Sequence, residues 1–224
     1  MYDRSFDELR TGFTAAVSHE LRTPLARILA LLDSADLPDA DVHGLIDQAR
    51  AEVENAGALI DEILFLSELE SGKEVVSLGH TAALPILQDV IGDLADAAAR
   101  AGVSVSVGGD DAEVPLRPRM LRVIAENLAE NSIRYAGHGS EFWFHVERAG
   151  DFVVLTAADD GAGVPAHYVP RLFERFYRFD TARTSRGTGL GLAIVKHIVA
   201  AAGGDVEAEG DTGQGLRIKI TFPN

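Results

Sequence analysis

Two long apolar stripes, one after the other, constrain this chain more than any other feature. Between residues 5 and 34, Phe6, Leu9, Phe13, Val17, Leu21, Leu25, Ile28 and Leu32 recur at steps of three and four, the period of one helix face. The stretch "DSADLPDAD" (33–41) breaks the pattern with proline and several aspartates. A second stripe follows to about Leu69, through Leu45, Ala49, Val53, Ala56, Ile60, Ile63 and Leu64. The helical rise makes each helix about 45 Å long. Two such helices fold back into a hairpin, and a lone hairpin leaves one side of its seam wet. A second copy removes that cost by closing a four-helix bundle across a dimer axis.

The texture changes at "ESGK" (70–73), which divides the chain into a hairpin over 1–72 and a second domain over 73–224. In the second part, Leu84–Ala101 and Arg119–Tyr135 read as helices, and "VSVSV" (103–107) alternates like a strand. "EFWFHVER" and "DFVVLTAADD" are strands around an "AGD" turn. Leu190–Ala202 is helical again, and "GDVEAEG" with "GLRIKITF" closes the chain as a strand pair. Helices mixed with mostly antiparallel strands indicate an α+β two-layer sandwich.

A formal net charge of −15 argues against a general nucleic-acid partner, because phosphate backbones need a basic footprint. The arginines near 171–186 can still make a local basic pocket. The chain has no cysteine, which removes disulfides, thiolate catalysis and Cys-type zinc sites. No apolar run reaches the roughly 18 residues of a membrane span. The nearest, "GLAIVKHIVAAAGG", is interrupted by Lys196 and His197, and the polar start "MYDRSFDELR" carries no secretory signal.

The first helix holds a puzzle, "SHELRTPL" (18–25), in which a polar His19–Glu20 pair is followed by Pro24. His19 is two positions from the seam residues Val17 and Leu21, so it faces solvent. A carboxylate beside an exposed imidazole can take the proton on one ring nitrogen and make the other a nucleophile. Pro24 cannot donate to the carbonyl of Glu20 and so loosens the helix beside the pair. Taken alone, the pair reads more readily as a surface histidine with an accidental neighbour.

Four elements of the second part fit a nucleotide. In "ENLAENSIRYA" (126–136), Asn127 and Asn131 share a helix face. Asn131 offers a hard oxygen to Mg²⁺, Arg134 can meet a phosphate, and Tyr135 can stack on a base. "DDGAG" (159–163) puts Asp159 at a strand end, as an acceptor for an adenine amino group, with Gly161 and Gly163 allowing a tight turn. "RLFERFYRFDTARTS" supplies aromatic anchors and, with Arg178, Arg183 and Arg186, cations for phosphates, as a lid would. "RGTGLGL" (186–192) brings Gly187, Thr188, Gly189, Leu190 and Gly191 to a helix N-terminus, where free N–H groups cradle phosphate oxygens. Each has a plain structural explanation by itself: a turn, a packed segment, a polar helix face.

Together and in this order they resemble the N, G1, F and G2 boxes of the ATP-binding domain of sensor histidine kinases, and "SHELRTPL" resembles that family's phosphoacceptor box. The resemblance covers about residues 5–222. It implies that His19 is phosphorylated from Mg-ATP, that Glu20 is its general base, and that Thr23 positions water for dephosphorylating the partner. It also implies that Asn131 binds Mg²⁺, Asp159 binds adenine, and the 187–191 turn surrounds the phosphates. The implied partners are a second copy of the chain and the receiver domain of a response regulator. The implied location is cytoplasmic, with any membrane contact made through an upstream segment. Asp160, Ala162 and Ser132 depart from the usual Asn, Pro and Ala of the boxes. Two other readings compete. One is a mechanical ATPase of the gyrase and heat-shock chaperone type, which would want a glutamate where Asn127 stands. The other is a non-catalytic dimeric scaffold.

Overall fold

A computed structural model describes residues 3–72, 76, 79–179 and 187–223, with side chains of the first helix at 14 and from 16 onward. The chain divides into two compact units, Met1–Glu68 and Leu69–Asn224.

The first unit is the hairpin. Helix α1 runs Asp3–Ala35 without interruption at Pro24, and α2 runs Val42–Glu70. Arg27 bridges to Glu52 across the pair at 3.4 Å. The turn between them ends on Asp41, whose Oδ1 accepts the N–H of Gly44 at 3.1 Å and so caps α2. Asp41→Ala should cost roughly 1 kcal/mol of hairpin stability, read as a lower urea midpoint of the helical transition. The stripe of α1 splits in two. Val17, Leu21 and Ile28 are half-buried, whereas Leu25, Leu29 and Leu32 stand at least half exposed. On α2, Ile46, Val53 and Ile60 are exposed at a spacing of seven, the repeat of a coiled-coil seam. The hairpin by itself thus leaves an apolar seam in water. Phe6, Leu9 and Phe13, expected on the same stripe, lie outside the described side chains.

In the second unit a short β1 (Thr81–Ala82) pairs with β3 (Glu113–Val114). The main sheet contains β2 (Ser104–Gly109), β4 (Glu141–Ala149), β5 (Phe152–Asp159), β6 (Asp205–Gly210) and β7 (Leu216–Pro223). Its order is β2-β4-β5-β7-β6, with β2 and β4 parallel and the other neighbours antiparallel. Alternation decides which face is covered. Phe142, Phe144 and Val146 on β4, and Leu216, Ile218, Ile220 and Phe222 on β7, are buried; His145, Glu147, Arg217 and Lys219 between them are exposed. The covered face packs on α3 (Ala83–Ala101), α4 (Pro118–Tyr135) and α5 (Gly191–Ala201). Leu87, Met120, Leu121, Ile124, Ile198 and Val199 fill this layer at 0% exposure, each such side chain contributing about 1.5–3 kcal/mol. Pro118 opens α4, where its missing N–H costs nothing. The result is the expected two-layer sandwich, and it sets α4, the end of β5 and the start of α5 side by side.

Candidate functional site

In the first unit, His19 and Glu20 lie mid-way along α1. The His19 side chain is 76% exposed, and its Nδ1 is 3.5 Å from Glu20 Oε1. The hydroxyl of Thr23 donates to the carbonyl of His19 at 3.3 Å, one turn back. A shallow groove of about 490 Å³ runs along this face, lined by His19, Arg22, Thr23, Ala26, Arg27 and Ala30.

The second unit brings the other expected residues together on three elements. Asp159 ends β5 and is 7% exposed. Its Oδ2 accepts the hydroxyl of Ser132 at 2.8 Å, and its Oδ1 accepts the N–H of Gly161 at 3.0 Å. The turn 159–163 is pinned on both sides. Ala162 N–H donates to Ala136 O at the end of α4, while Gly213 and Gly215 donate to the carbonyls of Ala162 and Gly161. A Cβ at Gly161 would collide with the backbone of Ala136, so no larger residue fits there. Gly163 completes the turn beside Asp211.

On α4, Asn131 is half-buried and Arg134 exposed. Asn127 donates from its amide to the carbonyl of Val123 at 2.8 Å, and its Oδ1 lies where a side chain at Gly191 would start. Asn127 therefore clamps the first turn of α5. Gly187 passes so close to α4 that a Cβ there would sit 2.9 Å from Tyr135 Oη and 3.0 Å from Arg134 Nη1. This sets the Tyr135 hydroxyl at the Gly-rich turn. Thr188 accepts the N–H of Leu190 at 3.2 Å, and Leu190 itself is fully buried. Gly189 adopts φ 72° and crosses Phe176, which takes φ 60° and donates its N–H to Gly189 O at 2.9 Å. A side chain at 189 would be strained by its φ and would press on the Phe176 backbone.

The basic stretch is partly committed elsewhere. Arg171 pairs with Glu174 at 3.0 Å and lies over the Tyr177 ring at 4.2 Å; the Glu174 hydrogen bond raises its pKa. Arg178 is half-buried next to Tyr177 and Phe179. Arg183 and Arg186 lie outside the described residues. Burial raises the carboxyl pKa of Glu130, beside Asn131; the charge of Arg134 opposes this and that of Glu126 adds to it.

A pinned carboxylate, an asparagine helix face and a glycine turn on a helix N-terminus define an ATP-binding two-layer sandwich, here preceded by a helical hairpin that exposes a histidine. The comparisons agree on both parts. Residues 9–72 match the His Kinase A (phospho-acceptor) domain, and residues 116–224 match the histidine kinase-, DNA gyrase B- and HSP90-like ATPase. The chain belongs to the histidine kinase family and carries its catalytic core. It is 32% identical over 221 residues to the sensor-like histidine kinase SenX3 of Mycolicibacterium smegmatis, covering 96% of this chain and 57% of that one. The solved histidine kinase ThkA, in complex with the response regulator protein TrrA, is similar with a TM-score of 0.77 at 20% identity, over 98% of this chain and 63% of ThkA. Full-length ShkA in complex with AMPPNP is similar with a TM-score of 0.69 at 26% identity, over 93% of this chain and 45% of ShkA. The curated relatives are longer proteins, and this chain spans between 36% and 57% of the first of them. No helix among the described residues is long and apolar enough to cross a membrane.

Ser132 and the 213–215 turn support the candidate site without a motif of their own. Ser132 was visible as a departure from the usual alanine, but its bond to Asp159 spans 27 positions and has no local signal. The closing strand pair is legible in the sequence, but not that its connection braces the 159–163 turn.

Proposed function

We propose that this chain autophosphorylates His19 from Mg-ATP and passes the phosphoryl group to an aspartate of a response-regulator receiver domain. The observation that carries this reading is the exposed His19–Glu20 pair, held in the same chain as the buried, doubly bonded Asp159.

In this reading Asp159 accepts the adenine amino group. Gly161 and Gly163 give the base its close approach. Asn127 holds the start of α5, and the turn Gly187, Thr188, Gly189, Leu190 and Gly191 meets the phosphates through backbone N–H groups. Arg134, Tyr135 and Arg178 serve the phosphate end. Among the described residues no cluster of three or more His, Asp or Glu could hold a metal alone. Mg²⁺ would therefore be held by Asn131 together with phosphate oxygens and water. Bound there, it would neutralise charge on the phosphates.

The imidazole nitrogen away from Glu20, Nε2, attacks the γ-phosphorus. The P–N bond forms as the bond to the ADP oxygen breaks, and that oxygen keeps the electron pair. Glu20 takes the proton from Nδ1. Thr23 sits one turn on, where a hydroxyl can orient water against the partner's phosphoaspartate. The groove from His19 to Ala30 is the surface offered to the receiver domain. In the gyrase-type alternative a water-activating base would stand at 127, but the asparagine there offers no proton acceptor of that strength and is committed to Val123 and Gly191.

The reading also makes the chain a homodimer through the seam of Leu25, Leu29, Ile46, Val53 and Ile60. The double variant Leu29→Glu, Val53→Glu should halve the mass measured by light scattering, and an unchanged mass would sink the dimer. A longer protein carrying this core would hold it on the cytoplasmic side of a membrane-anchored sensor. The direct test is incubation with γ-labelled ATP and Mg²⁺, then a chase with receiver domains. Acid-labile, base-stable label that moves to a receiver supports the proposal; intact nucleotide binding without label refutes it.

A further inference from the structure

Serines inside helices usually return their hydroxyl to the carbonyl four residues back. Ser18 does so on Thr14 at 2.8 Å, and Ser34 on Ala30 at 2.7 Å. Ser132 does not. It is 6% exposed within α4, and its hydroxyl leaves the helix to reach Asp159 Oδ2 at 2.8 Å. A buried hydroxyl costs free energy unless it is bonded, and serine is a poorer helix former than alanine. The carboxylate is what this hydroxyl serves.

Asp159 needs that second hold. Gly161 N–H fixes Oδ1 from the adjoining turn. The terminal torsion of an aspartate is broad, so a single bond leaves the other oxygen free to swing. With Ser132 in place both oxygens are held, one from the turn and one from α4. The remaining lone pairs then present acceptors in one fixed direction. The same helix carries Asn131, so the acceptor for the base is set in register with the phosphate end of the site.

We infer that Ser132 is a positioning residue that aims Asp159 at an exocyclic amine and thereby sets a preference for amino-purine over oxo-purine nucleotides. The inference rests on the reading of Asp159 as the adenine acceptor. An amine at C6 donates to the held carboxylate. An oxo group there is an acceptor facing an acceptor, and is rejected.

The test is calorimetric binding of Mg-ADP and Mg-IDP to the full chain, as wild type, Ser132→Ala and Asp159→Asn. In Ser132→Ala, ADP affinity should fall about three- to tenfold, the scale of one lost hydrogen bond to a charged group. IDP affinity should stay within about twofold, since it never used the held geometry. The preference then narrows. Equal loss on both nucleotides, or no loss on either, overturns the role of Ser132. Asp159→Asn separates the two layers: if it keeps the wild-type preference for ADP, the adenine reading itself is wrong and the inference falls with it. If it loses the preference while Ser132→Ala keeps it, the adenine reading stands and the role of Ser132 does not.

Discussion

A His19→Gln chain should take up no label from γ-labelled ATP while binding Mg-ADP as tightly as the parent. Glutamine has no basic nitrogen, because its amide lone pair is delocalised, so no P–N bond can form. The exchange is structurally mild. His19 is 76% exposed on a continuous helix, and glutamine is a better helix former than histidine. In the proposed site, nucleotide affinity belongs to groups on α4, β5 and α5, none of which the substitution touches. Label that persists in His19→Gln would move the phosphorylated residue elsewhere and end the proposed mechanism. Glu20→Gln is the graded companion. It leaves the nucleophile but removes the proton acceptor, and should slow labelling by about 10²-fold without changing ADP affinity.

Asp159→Asn should weaken Mg-ADP binding by about 10²-fold, the penalty when a site built around one hydrogen-bond polarity is given the other. The carboxylate accepts on both oxygens, from Ser132 and from Gly161 N–H. Asparagine offers one acceptor and one NH₂ group. If its oxygen keeps the Gly161 bond, the NH₂ faces Ser132 and the base. The serine hydroxyl can rotate to accept, but the adenine amine cannot, and two donors meet. If the amide flips, its NH₂ meets the Gly161 N–H instead. Either way a buried polar group loses its partner. Titration calorimetry measures the loss, and thermal unfolding of the nucleotide-free chain shows whether the fold survives. A variant that folds and still binds ADP normally would remove Asp159 from the site.

The elements were legible because their signals are local. Steps of three and four mark α1 and α2, and alternation marks β2, with no reference to the rest of the chain. Periodicity could not separate Val17 and Leu21, which are half-buried, from Leu25 and Leu32, which are exposed, because all four share one stripe. It could not order the sheet either, since β2 pairs with β4 in parallel across the whole of α4. In the candidate site, the glycine turns and the asparagine face were readable as motifs. What organises them was not: Ser132 reaching Asp159, Asn127 pressed on Gly191, and Phe176 forced to positive φ against Gly189. These contacts join residues between 13 and 64 positions apart. They are set by packing of the finished layers, to which single residues give no advance notice.

The fastening of the 159–163 turn to Gly213 and Gly215 has a consequence for how the protein is made. Translation delivers the asparagines, the aspartate and the glycine turn before the β6–β7 hairpin that braces the 159–163 turn. Until β7 enters the sheet beside β5, the turn lacks its outer wall and Asp159 lacks its strand partner Leu216. In the proposed site, competence to hold ATP therefore waits for β7. A chain cut before β7 would keep the motif residues and lose the brace that holds their turn.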